Sequence, residues 1–162
     1  MLVLAGRTQP WQRRAMTSRS HTIIDIAATC ACGSVTMRIA GPALSMFMCS
    51  CLDCQRATGT GHSTAVLVPL GALSITGEIK SFGSPSDSGA VFTRHFCPGC
   101  GNPLFGASSR APDVRMVSVG FFAGHNDWYA PNQLIFARSH RQWDMIADEL
   151  PWHETYREKR IS

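Results

Sequence analysis

Seven cysteines fall into three short clusters: Cys30-x-Cys32, Cys49-x-Cys51-x-x-Cys54 and Cys97-x-x-Cys100. A tetrahedral zinc site takes four ligands, so seven thiolates divide into a set of four and a set of three. Four thiolates close a structural site. Three leave one metal position open for water or substrate, which is how catalytic zinc is held.

Residues i and i+2 of an extended chain point to one face, so Cys30 and Cys32 aim two sulfurs at one point. Cys97-Pro98-Gly99-Cys100-Gly101 is a tight turn with two thiolates at its corner. Its glycines allow positive φ and close approach of backbone to sulfur. Joined in space, these two pairs would make a four-thiolate zinc site that ties two distant hairpins together. A metal clip of this kind contributes folding free energy on the order of 10 kcal/mol.

The middle cluster offers Cys49, Cys51 and Cys54 within a single short segment, which can wrap only part of a metal. Three thiolates on Zn²⁺ leave a net negative site, a poor activator of water but suited to holding an incoming thiol as thiolate. Arg56, two residues beyond Cys54, is a candidate contact for the thiol substrate, or else a solvated side chain. A rival partition remains open. Cys51-x-x-Cys54 with Cys97-x-x-Cys100 would form a zinc ribbon and leave Cys30, Cys32 and Cys49 over. Ribbon turns favour glycine after the second cysteine. Gly33 and Gly101 follow Cys32 and Cys100, whereas Gln55 follows Cys54, which favours pairing Cys30 and Cys32 with Cys97 and Cys100. His62 and His95 flank strand-like runs as candidate fourth ligands of the middle site; His21, His125, His140 and His153 carry less signal. No serine-nucleophile elbow, phosphate loop or dinucleotide fingerprint is present.

The elements that must position these residues are short and β-like. Strands are expected over 22–29, 34–40, 44–48, 63–69, 72–76, 79–82, 90–96, 103–107, 114–120 and 133–138. Ser84–Gly89 has loop chemistry. Helix is expected only over 52–58 and 142–148, and the Arg157–Arg160 end should be solvated. The 162 residues, 44% hydrophobic with 14 glycines, suit one mainly β domain over 21–162. Arg7, Arg13, Arg14 and Arg19, with no acid among residues 1–20, account for the whole net charge of +4. That segment reads as a disordered basic tail, with Met16 an alternative initiator. The remainder is balanced in charge, which gives nucleic-acid binding no electrostatic support. No apolar run is long enough to span a bilayer, so no membrane partner is expected. An odd number of closely spaced cysteines argues against a secreted disulfide framework and for a cytoplasmic, reducing location.

The whole pattern resembles the glutathione-dependent formaldehyde-activating enzyme family and its centromere protein V-like relatives. The matching pieces are Cys30-Ala31-Cys32-Gly33, then Cys49 through Cys54 with Gln55-Arg56-Ala57-Thr58-Gly59, and Arg94-His95-Phe96-Cys97-Pro98-Gly99-Cys100-Gly101. Pro131 to Phe136, followed by Trp143, Ile146, Asp148, Leu150 and Pro151, is similar to the family's closing signature. The resemblance covers about residues 22–155. It implies a mainly β, Mss4-like fold of short antiparallel sheets stapled by two zinc ions. It also implies a structural zinc on Cys30, Cys32, Cys97 and Cys100, and a catalytic zinc on Cys49, Cys51 and Cys54. The implied activity is that of a carbon–sulfur lyase joining a small thiol, glutathione or similar, to a small aldehyde such as formaldehyde. A non-catalytic zinc module that binds a protein partner is the alternative that the same fold supports.

Overall fold

The computed structural model describes residues 21–147 and 149–156. The basic tail, Asp148 and the Arg157–Arg160 end lie outside the described residues. The fold is mainly β, as expected.

The first sheet has three strands, β1 (Ile23–Thr29), β2 (Thr36–Pro42) and β5 (Leu73–Thr76), in the order β1-β2-β5 and antiparallel throughout. Period-two alternation makes it one-sided. Ile24, Met37 and Ile39 are buried, while Asp25 and Arg38 pair on the exposed face at 2.6 Å.

The second sheet has eight strands. In chain order they are β3 (Ser45–Cys49), β4 (Ser63–Pro69), β6 (Lys80–Pro85), β7 (Val91–Phe96), β8 (Pro103–Ser108), β9 (Ala111–Ser118), β10 (Leu134–Ile135) and β11 (Trp152–His153). Their spatial order is β11-β10-β3-β4-β9-β8-β7-β6. Neighbours from β3 to β6 run antiparallel, whereas β10 joins both β3 and β11 in parallel. Its two faces bury different cores. Met46, Val66, Val68 and Val117 join Ile24, Met37 and Ile39 between the two sheets. The alternate residues Phe47, Cys49, Leu67 and Met116 turn to the opposite face, into a smaller cluster with Ala65 and Phe136. The middle cysteines therefore sit across the sheet from the main core.

Helix α1 spans Leu52–Thr58 as expected. The helix expected over 142–148 is absent over its described residues, where Asp144 N–H closes a turn on the Arg141 carbonyl and 145–147 are irregular. Trp143 and Met145 there are 68% and 90% exposed, so no apolar stripe is buried to hold so short a helix. Strand β6 runs on to Pro85, into the stretch expected as loop, and the turn begins at Ser86, where Gly89 N–H bonds the Ser86 carbonyl at 2.8 Å. The strand expected over 133–138 shortens to two residues. Phe136 takes a left-handed φ of 58° and a short 3₁₀ turn, Ala137–Ser139, follows. Among the described residues no helix is long and apolar enough to cross a membrane.

Candidate metal centres and the cavity between them

Cys30, Cys32, Cys97 and Cys100 converge, and their sulfurs all lie within 4.8 Å of one another. The chain reaches this arrangement through two knuckle turns. Gly33 and Gly101, at φ 76° and 73°, turn the backbone after the second cysteine of each pair. Gly33 N–H bonds the Cys30 carbonyl and Gly101 N–H bonds the Cys97 carbonyl, both at 2.9 Å. The knuckles are tied to each other by Ala31 N–H donating to Asn102 Oδ1 at 3.0 Å. Sulfur separations are 3.5 Å for Cys30–Cys32, 3.7 Å for Cys30–Cys97 and 3.6 Å for Cys32–Cys97. A tetrahedron with zinc–sulfur bonds of about 2.3 Å has edges of about 3.8 Å, so the spacing fits a tetrathiolate zinc.

Burial pushes the Cys30 thiol up, but a hydrogen bond from Val35 N–H and those shared with Cys32, Cys97 and Ser34 outweigh it and bring the pKa down to about 6. The Ser34 hydroxyl also lowers Cys97, at 3.4 Å from its sulfur. These donors thus favour the thiolate at Cys30 and Cys97, the form a metal requires. At Cys100 the Asn102 and Cys32 backbone donors are outweighed by burial and the bonds with Cys97 and Cys32, which leave its thiol raised. Cys30 and Cys97 are buried in the main core, whereas Cys32 and Cys100 are exposed.

Cys49, Cys51 and Cys54 form the second group, again with sulfurs within 4.8 Å of one another. Cys49 ends β3. Cys51 caps α1, its sulfur accepting from Cys54 N–H at 3.3 Å, and Cys54 sits in the first turn. Gln55 holds this segment in place by donating its side-chain amide to the Ser50 and Ser139 carbonyls, both at 2.8 Å. Hydrogen bonds from Cys49 and Cys54 depress the Cys51 thiol to about 2, while its bonds to Cys51 and Cys54, with burial, push Cys49 up. For Cys54, the bond with Cys49 lowers the pKa, but the bond with Cys51, burial and the Cys51 charge outweigh it and raise it to about 11. Negative charge in this cluster therefore gathers on Cys51, with the Cys49 and Cys54 thiols as its donors. Either cysteine group could hold a metal ion. All seven cysteines are free of disulfides.

Neither candidate histidine joins the second group, which among the described residues is three cysteines alone. His62 is tied to Asp144 through Nδ1 at 2.7 Å. His95 stacks on Phe105 at 4.1 Å, and burial pushes its pKa down. Its Nδ1 is buried without a hydrogen-bond partner.

The three cysteines open onto a cavity of about 550 Å³. Phe47, Phe92, Phe105, Met116 and Phe136 give it an apolar wall. The left-handed Phe136 is a strained non-glycine residue at that wall, where its ring packs against Tyr156 at 4.7 Å. Arg56, Arg94 and Arg138 supply cationic groups to the cavity. Arg56 is mostly exposed and bonds Asp53 at 3.2 Å. Sequence reasoning gave Arg94 no role of its own. Its signal was the alternation Phe92-x-Arg94-x-Phe96, which places it on one strand face with two aromatics.

Comparison with known proteins agrees with this arrangement. The chain is similar to the crystal structure of a Rhodobacter sphaeroides protein, a Northeast Structural Genomics target, with a TM-score of 0.50 and 19% identity. That match covers 78% of this chain and 99% of the other, and it speaks for the fold. The family model described as glutathione-dependent formaldehyde-activating enzyme matches residues 25–139, which include all seven cysteines and most of the cavity wall. The chain belongs to the glutathione-dependent formaldehyde-activating enzyme family.

Proposed function

We propose that the protein is a zinc-dependent carbon–sulfur lyase that joins a small, glutathione-like thiol to a small, formaldehyde-like aldehyde. The observation that carries this is the contrast between the two cysteine groups. Four sulfurs surround one point at the knuckles, whereas three sulfurs face a cavity large enough for a small substrate. Cys30, Cys32, Cys97 and Cys100 would hold a structural zinc, and Cys49, Cys51 and Cys54 a catalytic one. The catalytic zinc, when bound, lowers the pKa of a thiol and fixes the position of its sulfur.

The chain's own residues do the rest. The aromatic wall strips water from the thiol sulfur and the aldehyde, and Arg56 contacts the thiol substrate near the mouth. The thiol first gives up its S–H proton to solvent. In the bond-forming step a lone pair of the resulting thiolate makes the S–C bond, the C=O π pair moves to oxygen, and that oxygen takes a proton from solvent. The product is an S-hydroxymethyl hemithioacetal, and the reverse step is the lyase reaction. Free thiols suit the reducing cytoplasm, where we place the protein.

The test is the rate at which S-hydroxymethylglutathione forms from glutathione and ¹³C-formaldehyde, read by exchange NMR on the zinc-loaded protein. The rate is expected to rise in proportion to protein concentration. A rate equal to that of the protein-free mixture would overturn the reading.

Two zinc ions per chain with unequal retention are also expected. Mild chelation should empty the three-thiolate site first, because among the described residues it has no fourth protein ligand and it closes no long loop. Metal analysis before and after chelation checks this, and one zinc at saturation would remove the two-site proposal.

A further inference from the structure

Among the described residues three guanidiniums line the cavity against two carboxylates, Asp53 and Asp87. Two of the arginines already have a carboxylate partner, Arg56 in Asp53 and Arg138 in Asp87. Among the described residues Arg94 has no carboxylate within ion-pair reach.

Arg94 is also held in place. The sheet register sets Phe82, Arg94, Gly106 and Met116 in one row across β6, β7, β8 and β9. Ser84, Phe92 and Ser108 form the next row of the same face. Met116 belongs to the cluster that packs the middle cysteines, so this face is the one that carries them. The Arg94 guanidinium lies 5.4 Å over the Phe92 ring. A Cβ at position 106 would lie 2.2 Å from that ring, so the glycine is what lets the ring lie across β8 as a shelf. Arg94 is half-buried, and with Arg56 it also lines an adjoining pocket that continues past Phe82 and Phe96. A guanidinium stacked on an aromatic ring keeps its planar fork of N–H donors free for a carboxylate. A solvated surface arginine needs neither the shelf nor the glycine beneath it.

We propose that Arg94 selects the thiol. Its guanidinium receives a carboxylate of an anionic thiol whose sulfur is directed at Cys49, Cys51 and Cys54. The inference rests on the proposed thiol chemistry of this cavity and names the residue that sets its specificity: through Arg94, a thiol that carries a carboxylate is preferred over a neutral thiol of similar size.

The test uses S-methylglutathione, which keeps both carboxylates but cannot offer a thiolate, and its dimethyl ester. Each is titrated calorimetrically into the zinc-loaded protein, so that binding is read without aldehyde or turnover. S-methylglutathione should bind, and more weakly at high salt. Arg94→Gln should raise its Kd on the order of 10- to 100-fold, the usual worth of a charged hydrogen-bonded contact. Arg94→Lys should fall between, because it keeps the charge and loses the fork. The ester should bind the unaltered protein as weakly as the acid binds Arg94→Gln. Unchanged affinity in Arg94→Gln, equal affinity for ester and acid, or no binding of S-methylglutathione at all would each overturn the proposal. Should Arg94→Gln misfold, the ester-against-acid comparison on the unaltered protein decides alone. If the protein proves to have no thiol–aldehyde turnover, these binding results still stand. If turnover is intact and Arg94→Gln binds normally, only the carboxylate subsite falls.

Discussion

Replacing Cys100 by serine is expected to unfold or aggregate the protein, and Cys97→Ser should do the same. The Cys100 case is the sharper one because the residue is exposed. Judged by burial alone, an exposed cysteine-to-serine change should move stability by no more than about 0.5 kcal/mol. Judged as a zinc ligand, it removes a quarter of the shell that joins the knuckle after β1 to the knuckle after β7. Metal coupling on the order of 10 kcal/mol is as large as the whole stability of an ordinary domain, so losing much of it leaves little to hold the fold. The two accounts differ by more than any plausible error in either. Far-UV circular dichroism, melting temperature and zinc content on one preparation decide between them. A soluble Cys100→Ser protein with an unchanged melting temperature would break the grouping of Cys30, Cys32, Cys97 and Cys100 as one site. The change at Cys97 adds a second loss, because that sulfur is buried in the main core and bonds Ser34. Its effect should therefore equal or exceed that at Cys100.

The grouping of the cysteines was legible because it is written in local chemistry. A glycine after Cys32 and after Cys100 signals a left-handed turn, and both turn there. The stretch 63–69 was legible in full because its alternation, Ala65 and Leu67 against Val66 and Val68, serves two cores at once. What stayed hidden depends on partners far away in the chain. The parallel insertion of β10 beside β3 is invisible in a two-residue strand. The left-handed Phe136 that ends β10 is a bulky residue that no local rule would place at positive φ. Over 142–148 the large side chains of Trp143 and Met145 stay exposed, and Asp144 is taken by His62 instead. Arg94 was passed over for a related reason. Its meaning comes from Phe92 beside it on one face and from the missing side chain at Gly106 across the ladder.

Cys54→Ser should behave in the opposite way to Cys100→Ser: the protein should stay folded, keep its structural zinc and lose thiol-dependent chemistry by about 100-fold or more. The expectation of a retained fold comes from where Cys54 sits. The helix cap is the sulfur of Cys51, which accepts from the Cys54 backbone N–H, and serine keeps that N–H. Gln55 still pins the segment to Ser50 and Ser139. The small cluster around Phe47, Ala65 and Phe136 loses one half-buried sulfur and no aromatic ring. The expectation of lost chemistry comes from the donor count. Two thiolates and a hydroxyl bind zinc far more weakly than three thiolates. Loss of a partner outside the ligand shell already costs about 10- to 100-fold in metal affinity or activity, so loss of a ligand should cost at least as much. Circular dichroism, metal content and turnover on the same preparation separate the outcomes. Full turnover in Cys54→Ser would mean that the chemistry does not depend on a metal held there. Unfolding as severe as that of Cys100→Ser would make the middle cluster structural too. The fold would then have two staples and no working site, and a zinc module that binds a protein partner would become the better account of the cavity.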